Sequence, residues 1–381
     1  MATSILATIE DAVRTASAIS LRADLIPASG VPGDERFFVL PPTYVEIGHL
    51  VSPERPDGTH EYVLIDSTQS WANRLEELLD DPLVGLPRIE VEVDSRALSV
   101  NQLPHRIFDA VLRDSEAGGQ PFRKTSLGTA LIEARPNDAT ALLENAPPTL
   151  LFGAWDSFAG AKIGAAKWPA ALSGQMIGFD AQLAKRGGMR IDPVGIVVEG
   201  FNAFRSTSRA ELWTADEARA EKDDKGKPRI VRPSDVGHGF IPAPNQTKGA
   251  WVRRIELRSS LSLTRLRRYH FPVSGKQAEA ADEAARTFLA VLAVWAMSER
   301  IARGLELRAG AELDAKSAEW FIRRPLTPDA AFAVTPPDAL DAVREARREA
   351  ESLGFRFGTV VRFKASPALE KAVRASREAS S

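Results

Sequence analysis

The chain has 381 residues, no cysteine, 44% apolar and 26% charged residues, and a formal net charge of −2. The missing cysteines exclude disulfides, thiolate catalysis and every cysteine-bearing zinc site and fit a reducing cytosol, and the apolar and charged fractions are ordinary for a soluble globular protein. The near-neutral total gives no global attraction to a polyanion, so a nucleic-acid surface has to come from local segregation of cations.

The first residues, Met1 to Asp11, have no basic region and meet acid early, unlike a secretory signal. Asp11 to Arg22 has helical spacing and is expected as an opening helix, followed by a Pro/Gly-rich loop over Pro27 to Asp34. Arg36 to Leu40 reads as a strand, and Tyr62 to Asp66 as a short strand buried on both faces. Trp71 to Leu79 is amphipathic at helical period, with Ser67 or Ser70 placed to accept from an orphan amide of its first turn. Arg88 to Asp94 alternates, which puts Ile89, Val91 and Val93 on one face. Helices are expected over His105 to Ser115, Leu127 to Ala134 and Asp138 to Asn145, and a buried strand over Thr149 to Gly153.

Glycine and proline then recur up to Gly200, and Arg205 to Lys248 is the most polar stretch, suited to an exposed protrusion. Arg254 to Leu263 alternates again, with Ile255, Leu257, Leu261 and Leu263 on one face and Arg254, Glu256 and Arg258 on the other. Glu279 to Leu305 reads as one long helix, apolar nearly all round in its middle and too short in its apolar run to span a bilayer. A mixed-charge helix over Ala339 to Leu353 and a strand over Phe355 to Phe363 close the chain. Interspersed strands and helices of these kinds predict an α+β fold with a mixed or antiparallel sheet.

The motifs of common chemistry are missing. Gly275-Lys276 lacks the rest of a phosphate-binding loop, no Gly-x-Gly-x-x-Gly follows a strand, and no Gly-x-Ser-x-Gly is present. The five histidines, at 49, 60, 105, 238 and 270, show no metal-ligand pairing, so neither a metal nor another cofactor is expected. Charge is segregated instead: from Trp251 to His270 there are six arginines against Glu256 alone, and three cations without an acid lie between Lys185 and Arg190.

Four ordered segments resemble one family. They are Ile65-Asp-Ser-Thr-Gln-Ser-Trp-Ala-Asn-Arg-Leu-Glu-Glu77; His105-Arg-Ile-Phe-Asp-Ala-Val-Leu-Arg-Asp-Ser115 with Pro121-Phe-Arg-Lys-Thr-Ser126; Leu151-Phe-Gly-Ala-Trp-Asp-Ser157 with Arg190-Ile-Asp-Pro-Val-Gly-Ile196; and Arg232-Pro-Ser-Asp-Val-Gly-His-Gly239. Together they resemble the RAMP-superfamily backbone subunit of the type I-U (I-G) Cascade surveillance complex. The chain departs from that pattern at Ala170 and Gln175, where Arg and Glu are usual, and between Lys185 and Arg190.

The resemblance implies an RRM/ferredoxin-like palm with an inserted thumb and helical elements. Residues 1–200 would hold the first part of the palm, 201–250 the thumb, and 251–381 the rest of the palm with the C-terminal helices. It implies a non-catalytic, cytoplasmic subunit that coats CRISPR RNA and reaches target DNA through the guide. Its partners would be further copies of itself, the large subunit and the guide-processing subunit, without a membrane.

Candidate RNA contacts follow. Gln69, Ser70, Asn73 and Arg74 sit at a strand-to-helix junction, a natural phosphate seat. Arg106 and Arg113, and then Arg123, Lys124 and Ser126 after a Gly-Gly turn, are further anion contacts. Trp155 is either a core residue or a base-stacking platform. Lys162, Lys167, Arg190 and His238 complete the first set, and Arg253, Arg254 and Arg258 are expected to wall the groove. The competing function is a RAMP-type endoribonuclease, which would need His238 or Asp156 in an organised site.

Overall fold

The computed structural model describes all residues except 1–3, 32, 157–166, 209, 240, 275–277, 309 and 381, and additionally leaves out the side chains of 186–190, 241–246 and 379–380. The chain divides into two compact units, residues 1–182 with 250–371, and residues 183–249 with 372–381.

The centre of the first unit is one antiparallel sheet. Its elements in chain order are helix α1 (Ile5–Thr15), strand β1 (Ala18–Pro27), helix α2 (Thr68–Leu79), strand β2 (Leu172–Arg190), strand β3 (Arg254–Ser262), helix α3 (Glu279–Ala302), strand β4 (Glu312–Arg323) and helix α4 (Pro336–Ser352). Across the sheet the strands run β4-β1-β3-β2, each pair antiparallel. Strand–helix–strand–strand–helix–strand in this spatial order is the ferredoxin-like arrangement, so the α+β palm expected from the sequence is present.

The alternation of β1 and β3 explains the layering. Ile19, Leu21, Ala23 and Leu25, and opposite them Ile255, Leu257 and Leu261, are buried on the helix-covered face. Ser20, Arg22, Arg254, Arg258 and Ser260 point the other way. Helix α3 has every residue from Thr287 to Ser298 buried, as its all-round apolar middle requires, because α1, α2 and α4 all pack on it. Helix α2 starts at Ser67, whose Oγ accepts from the Ser70 amide, and its Trp71 donates Nε1–H to Ser259 Oγ of β3 at 3.0 Å.

That indole leaves no room beside β2: a Cβ on Gly174 would lie 2.6 Å from Trp71 Cδ1 and 2.7 Å from Ser259 Oγ. Gly174→Ala is therefore expected to destabilise the protein by about 2 kcal/mol through overpacking, measured as a lower urea midpoint at unchanged m-value. An unchanged midpoint would show that the indole can move aside.

A second sheet of five strands carries Arg88–Val93 paired in parallel with Val360–Ala365 and antiparallel with Arg96–Ser99. The unit of residues 183–249 pairs Phe204–Arg205 with Trp213–Thr214. Its charges largely neutralise one another, Arg205 and Arg229 both meeting Glu221, and Arg219 meeting Glu211.

Several expected elements differ; Tyr62 is 41% exposed, so its strand is not buried on both faces, and the last strand runs Val360–Ala365. The opening helix ends at Thr15, and Ala18–Pro27 is the central strand of the palm rather than its continuation. Its Ile19-x-Leu21-x-Ala23-x-Leu25 alternation, buried between β3 and β4, outcompetes helical spacing. Residues 105–115 form a short 3-10 turn, Arg106–Phe108, and a single helical turn, Ala110–Arg113, because Asp109 breaks the run and caps the second piece. Thr149–Phe152 belongs to the helix Pro148–Phe152, which Gly153 ends at a positive φ, and not to a strand.

Candidate nucleic-acid interface

The solvent-facing side of the palm is built around one buried carboxylate. Glu256 on β3, with a fully buried side chain, accepts from Arg22 Nε of β1 at 3.1 Å and from its own strand neighbours Arg254 and Arg258. The three arginine side chains remain 51%, 42% and 54% exposed, so the cluster stays open to solvent. Register produces the cluster: Arg22 lies directly opposite Arg258, and Arg254, Glu256 and Arg258 alternate on one face of β3. Burial pushes the Glu256 carboxyl up, but the Arg258 hydrogen bond and the charges of Arg254, Arg258 and Arg22 prevail and hold it below its ordinary range.

Phe179 of β2 forms the floor under two of these cations, with Arg254 at 4.3 Å and Arg258 at 5.2 Å from its ring centre. Gln175 lies opposite Arg258, and Arg323 of β4 donates to Ser20 Oγ at 2.8 Å. Arg22, Gln175, Arg254, Arg258 and Arg323 line an open depression of about 830 Å³ with four guanidiniums against two carboxylates, Glu256 and Asp329. A surface of fixed, half-exposed guanidiniums with surplus positive charge suits a phosphate chain.

The residues singled out from the sequence fall into distinct places. Arg254 and Arg258 are in the cluster, and Arg253 is exposed beside it on the bend before β3. Arg22, Phe179, Gln175 and Arg323 belong to it and were not anticipated; Arg22 had been placed on a helix. The Arg-x-Glu-x-Arg alternation of β3 was the available signal.

Four other arginines are engaged inside the fold. Arg74 donates to Asp66 at 3.2 Å and to the carbonyls of Glu306 and Leu307 at 2.6 and 3.1 Å. Arg106 grips buried Glu76 through two nitrogens and donates to the Gly153 carbonyl at 2.9 Å. Arg113 pairs with Asp114 at 2.8 Å, and Arg123 reaches both oxygens of buried Asp156 at 2.9 Å. Arg106 and Arg113 lie on separate short elements and share no helix face.

Gln69, Asn73, Lys124 and Ser126 are exposed, while Ser70 accepts from Arg74 at 3.3 Å. Trp155 is 58% exposed and not a core residue, with Lys167 paired to it across two short strands. Lys162 and the side chain of Arg190 lie outside the described residues.

His238 has partners that its loop position did not reveal. Its Nδ1 lies 3.5 Å from Asp192, and its ring meets Trp213 edge-on at 6.1 Å and Phe201 at 6.2 Å. The Gly239 amide donates to buried Asp192 at 2.6 Å, and that bond, with those from Val194 and Ile196, holds the carboxyl below its usual range. Among the described residues no group of three or more His, Asp or Glu side chains is arranged to hold a metal.

Residues 19–183 match the model of the family described as CRISPR-associated protein GSU0053. No curated protein matches the chain. Among solved structures, a chain described as "CRISPR RNA-guided surveillance complex, pre-nicking" is 10% identical, with 94% of this chain and 100% of that chain covered at a TM-score of 0.35. The family match takes in β1, α2 and the palm part of β2, with the segments at 65–77, 105–126 and 151–157, and leaves out 190–196 and 232–239. Over those residues the chain carries the sequence signature of this CRISPR-associated family, which is the broad kinship its ordered segments point to.

Proposed function

We propose that the chain is a CRISPR RNA-binding backbone subunit of a type I-U/I-G Cascade complex, a cytoplasmic scaffold without catalysis of its own. The guide's phosphates lie on the solvent face of the palm, where Arg22, Arg254 and Arg258 are fixed around Glu256. That cluster is the observation that carries the reading, and the family match over residues 19–183 supports it. Further copies would continue the same face along the guide, other Cascade subunits would join its ends, and target DNA would be met through the bases. Phosphate contacts set position without reading sequence, so one surface serves any guide.

The scaffold is preferred to an endoribonuclease on the arginine face and on the engagement of Asp156, one of the two candidate side chains. Both oxygens of Asp156 accept from Arg123, whereas His238, 3.5 Å from buried Asp192, has the partner a general base needs and makes the nuclease the second reading to test. Among the described residues no helix is long and apolar enough to cross a membrane.

The test is fluorescence anisotropy of labelled single-stranded RNA of mixed sequence against the full chain over a salt series. Binding is expected to weaken with salt, and Arg258→Gln to reduce the logarithmic slope by about 0.7 for the phosphate it releases. Absence of salt-sensitive binding, or an unchanged slope in Arg258→Gln, would remove the palm face as the guide site. Gel analysis of the same mixtures, with and without Mg²⁺, reads out cleavage; RNA cut by the wild type and spared by His238→Ala would favour the nuclease.

A further inference from the structure

The two central strands of the palm offer an RNA no free aromatic surface. The outward positions of β1 and β3 are Ser20, Arg22, Asp24, Arg254, Glu256, Arg258 and Ser260, none of them aromatic. Phe179, on the neighbouring strand, lies beneath two guanidiniums. Phe321 is half-buried at the margin on β4, opposite Ser20. An RNA held against these strands is gripped by its phosphates.

A second depression of about 330 Å³ lies in the same unit. Its floor is Phe152, Trp168 and Pro169, with Trp168 buried and packed against Tyr269 at 5.4 Å. On this floor Trp155 is 58% exposed, with Lys167 and His105 also exposed at the rim. None of the described residues lining it is acidic. An exposed indole on a rigid apolar base, beside a lysine and without a competing carboxylate, matches a nucleobase and its phosphate.

The chain itself fixes the distance to the arginine face. Ala170 lines this depression and Ser173 lines the arginine face, three residues apart, which is at most about 10 Å of chain. The Ala171 amide donates to the Leu151 carbonyl at 2.8 Å, tying the start of β2 to the helix that carries Phe152.

We infer that Trp155 is a base-stacking platform, with Lys167 on the adjoining phosphate, next to the phosphate-binding face. This rests on the RNA-binding reading above and adds to it a second subsite of different chemistry: the palm holds the backbone, and Trp155 takes one base out of the stack.

The experiment uses the full chain with Trp155→Ala and Trp155→Phe, and the labelled RNA and salt series described above. Trp155→Ala is expected to weaken binding by roughly 5- to 150-fold, the span for loss of one stacked base. The salt slope is expected to stay at the wild-type value, since no phosphate contact is removed. Trp155→Phe, which keeps a π-face, is expected to restore most of the affinity, and equal far-ultraviolet circular dichroism and melting temperature serve as the folding control. Wild-type affinity in Trp155→Ala would overturn the platform, leaving the palm face intact and Trp155 as a contact for a protein partner. A loss that Trp155→Phe does not repair, or one that lowers the slope, would also overturn it. Failure of the wild type to bind RNA with any salt dependence would instead remove the parent reading.

Discussion

Arg106→Ala is expected to lower the unfolding free energy by about 3–5 kcal/mol, the cost of leaving a buried charge without its partner. Its guanidinium holds both oxygens of Glu76 and the Gly153 carbonyl, and stacks near Phe152 at 5.8 Å. Burial pushes the Glu76 carboxyl above its ordinary value, and Arg106 is what restrains it. The folded protein therefore keeps the Glu76 proton to higher pH than the unfolded chain does, and removing Arg106 raises that pKa further. Above it the variant must either bury an unpaired carboxylate or take up a proton. The deficit is then largest at neutral and alkaline pH and shrinks as pH falls and Glu76 becomes neutral in both states. Urea unfolding of wild type and variant at pH 7.5 and pH 5 checks this; a deficit of equal size at both values would mean that lost packing, not the orphaned acid, is responsible.

Glu256→Gln is expected to cost about 3 kcal/mol of stability, at the lower end of the same range because the three arginines it releases are half in water. It also removes a negative charge from a proposed anion site, and simple charge counting predicts tighter RNA binding. The geometry predicts the opposite. Without the carboxylate the three guanidiniums repel one another and spread, and the affinity that came from holding them fixed declines. Anisotropy titrations at constant salt decide between the two; stronger binding by Glu256→Gln would show that Glu256 only dilutes the positive field.

Here too the gap shrinks as pH falls, although the Glu256 carboxyl is shifted down where that of Glu76 is shifted up. Because the Glu256 carboxyl is held below its ordinary value of 4.5, its contribution is complete above that pH and is lost as pH falls through the lower folded value. The gap between wild type and variant is expected to close only in that acidic window.

These two carboxylates mark where the sequence was legible and where it was not. The alternation of β3, the amphipathic α2 and the buried α3 were visible because their apolar periods are long and unbroken. The arginine face was half visible: Arg254, Glu256 and Arg258 alternate within one strand, but Arg22 reaches them only through a pairing more than 230 residues distant in sequence. Arg74, Arg106, Arg113 and Arg123 looked as available for RNA as any other, since a linear sequence does not say which acid stands beside them. Asp66, Glu76 and Asp156 are brought there by folding, and even Asp114, adjacent to Arg113, needs the local turn to face it. Thr149 to Phe152 was misread because a short, largely apolar run fits a strand or a buried helical turn equally well. Trp155 shows the reverse case, an aromatic after an apolar run whose exposure becomes evident only once the short helix before it is seen to end at Gly153.

The strand order of the palm has a consequence for how the protein comes into being. Ala18 pairs with Ser262 on one side and Arg323 on the other, so the first central strand made by the ribosome waits through most of synthesis for both neighbours. Closing loops of that length is entropically unfavourable until the new contacts form, which makes assembly of this sheet a late and slow event. The surface shared by Ser20, Arg22, Gln175, Arg258 and Arg323 is therefore absent from the nascent chain. Only a protein whose translation has passed β4 can present it, and a truncated product has no such surface.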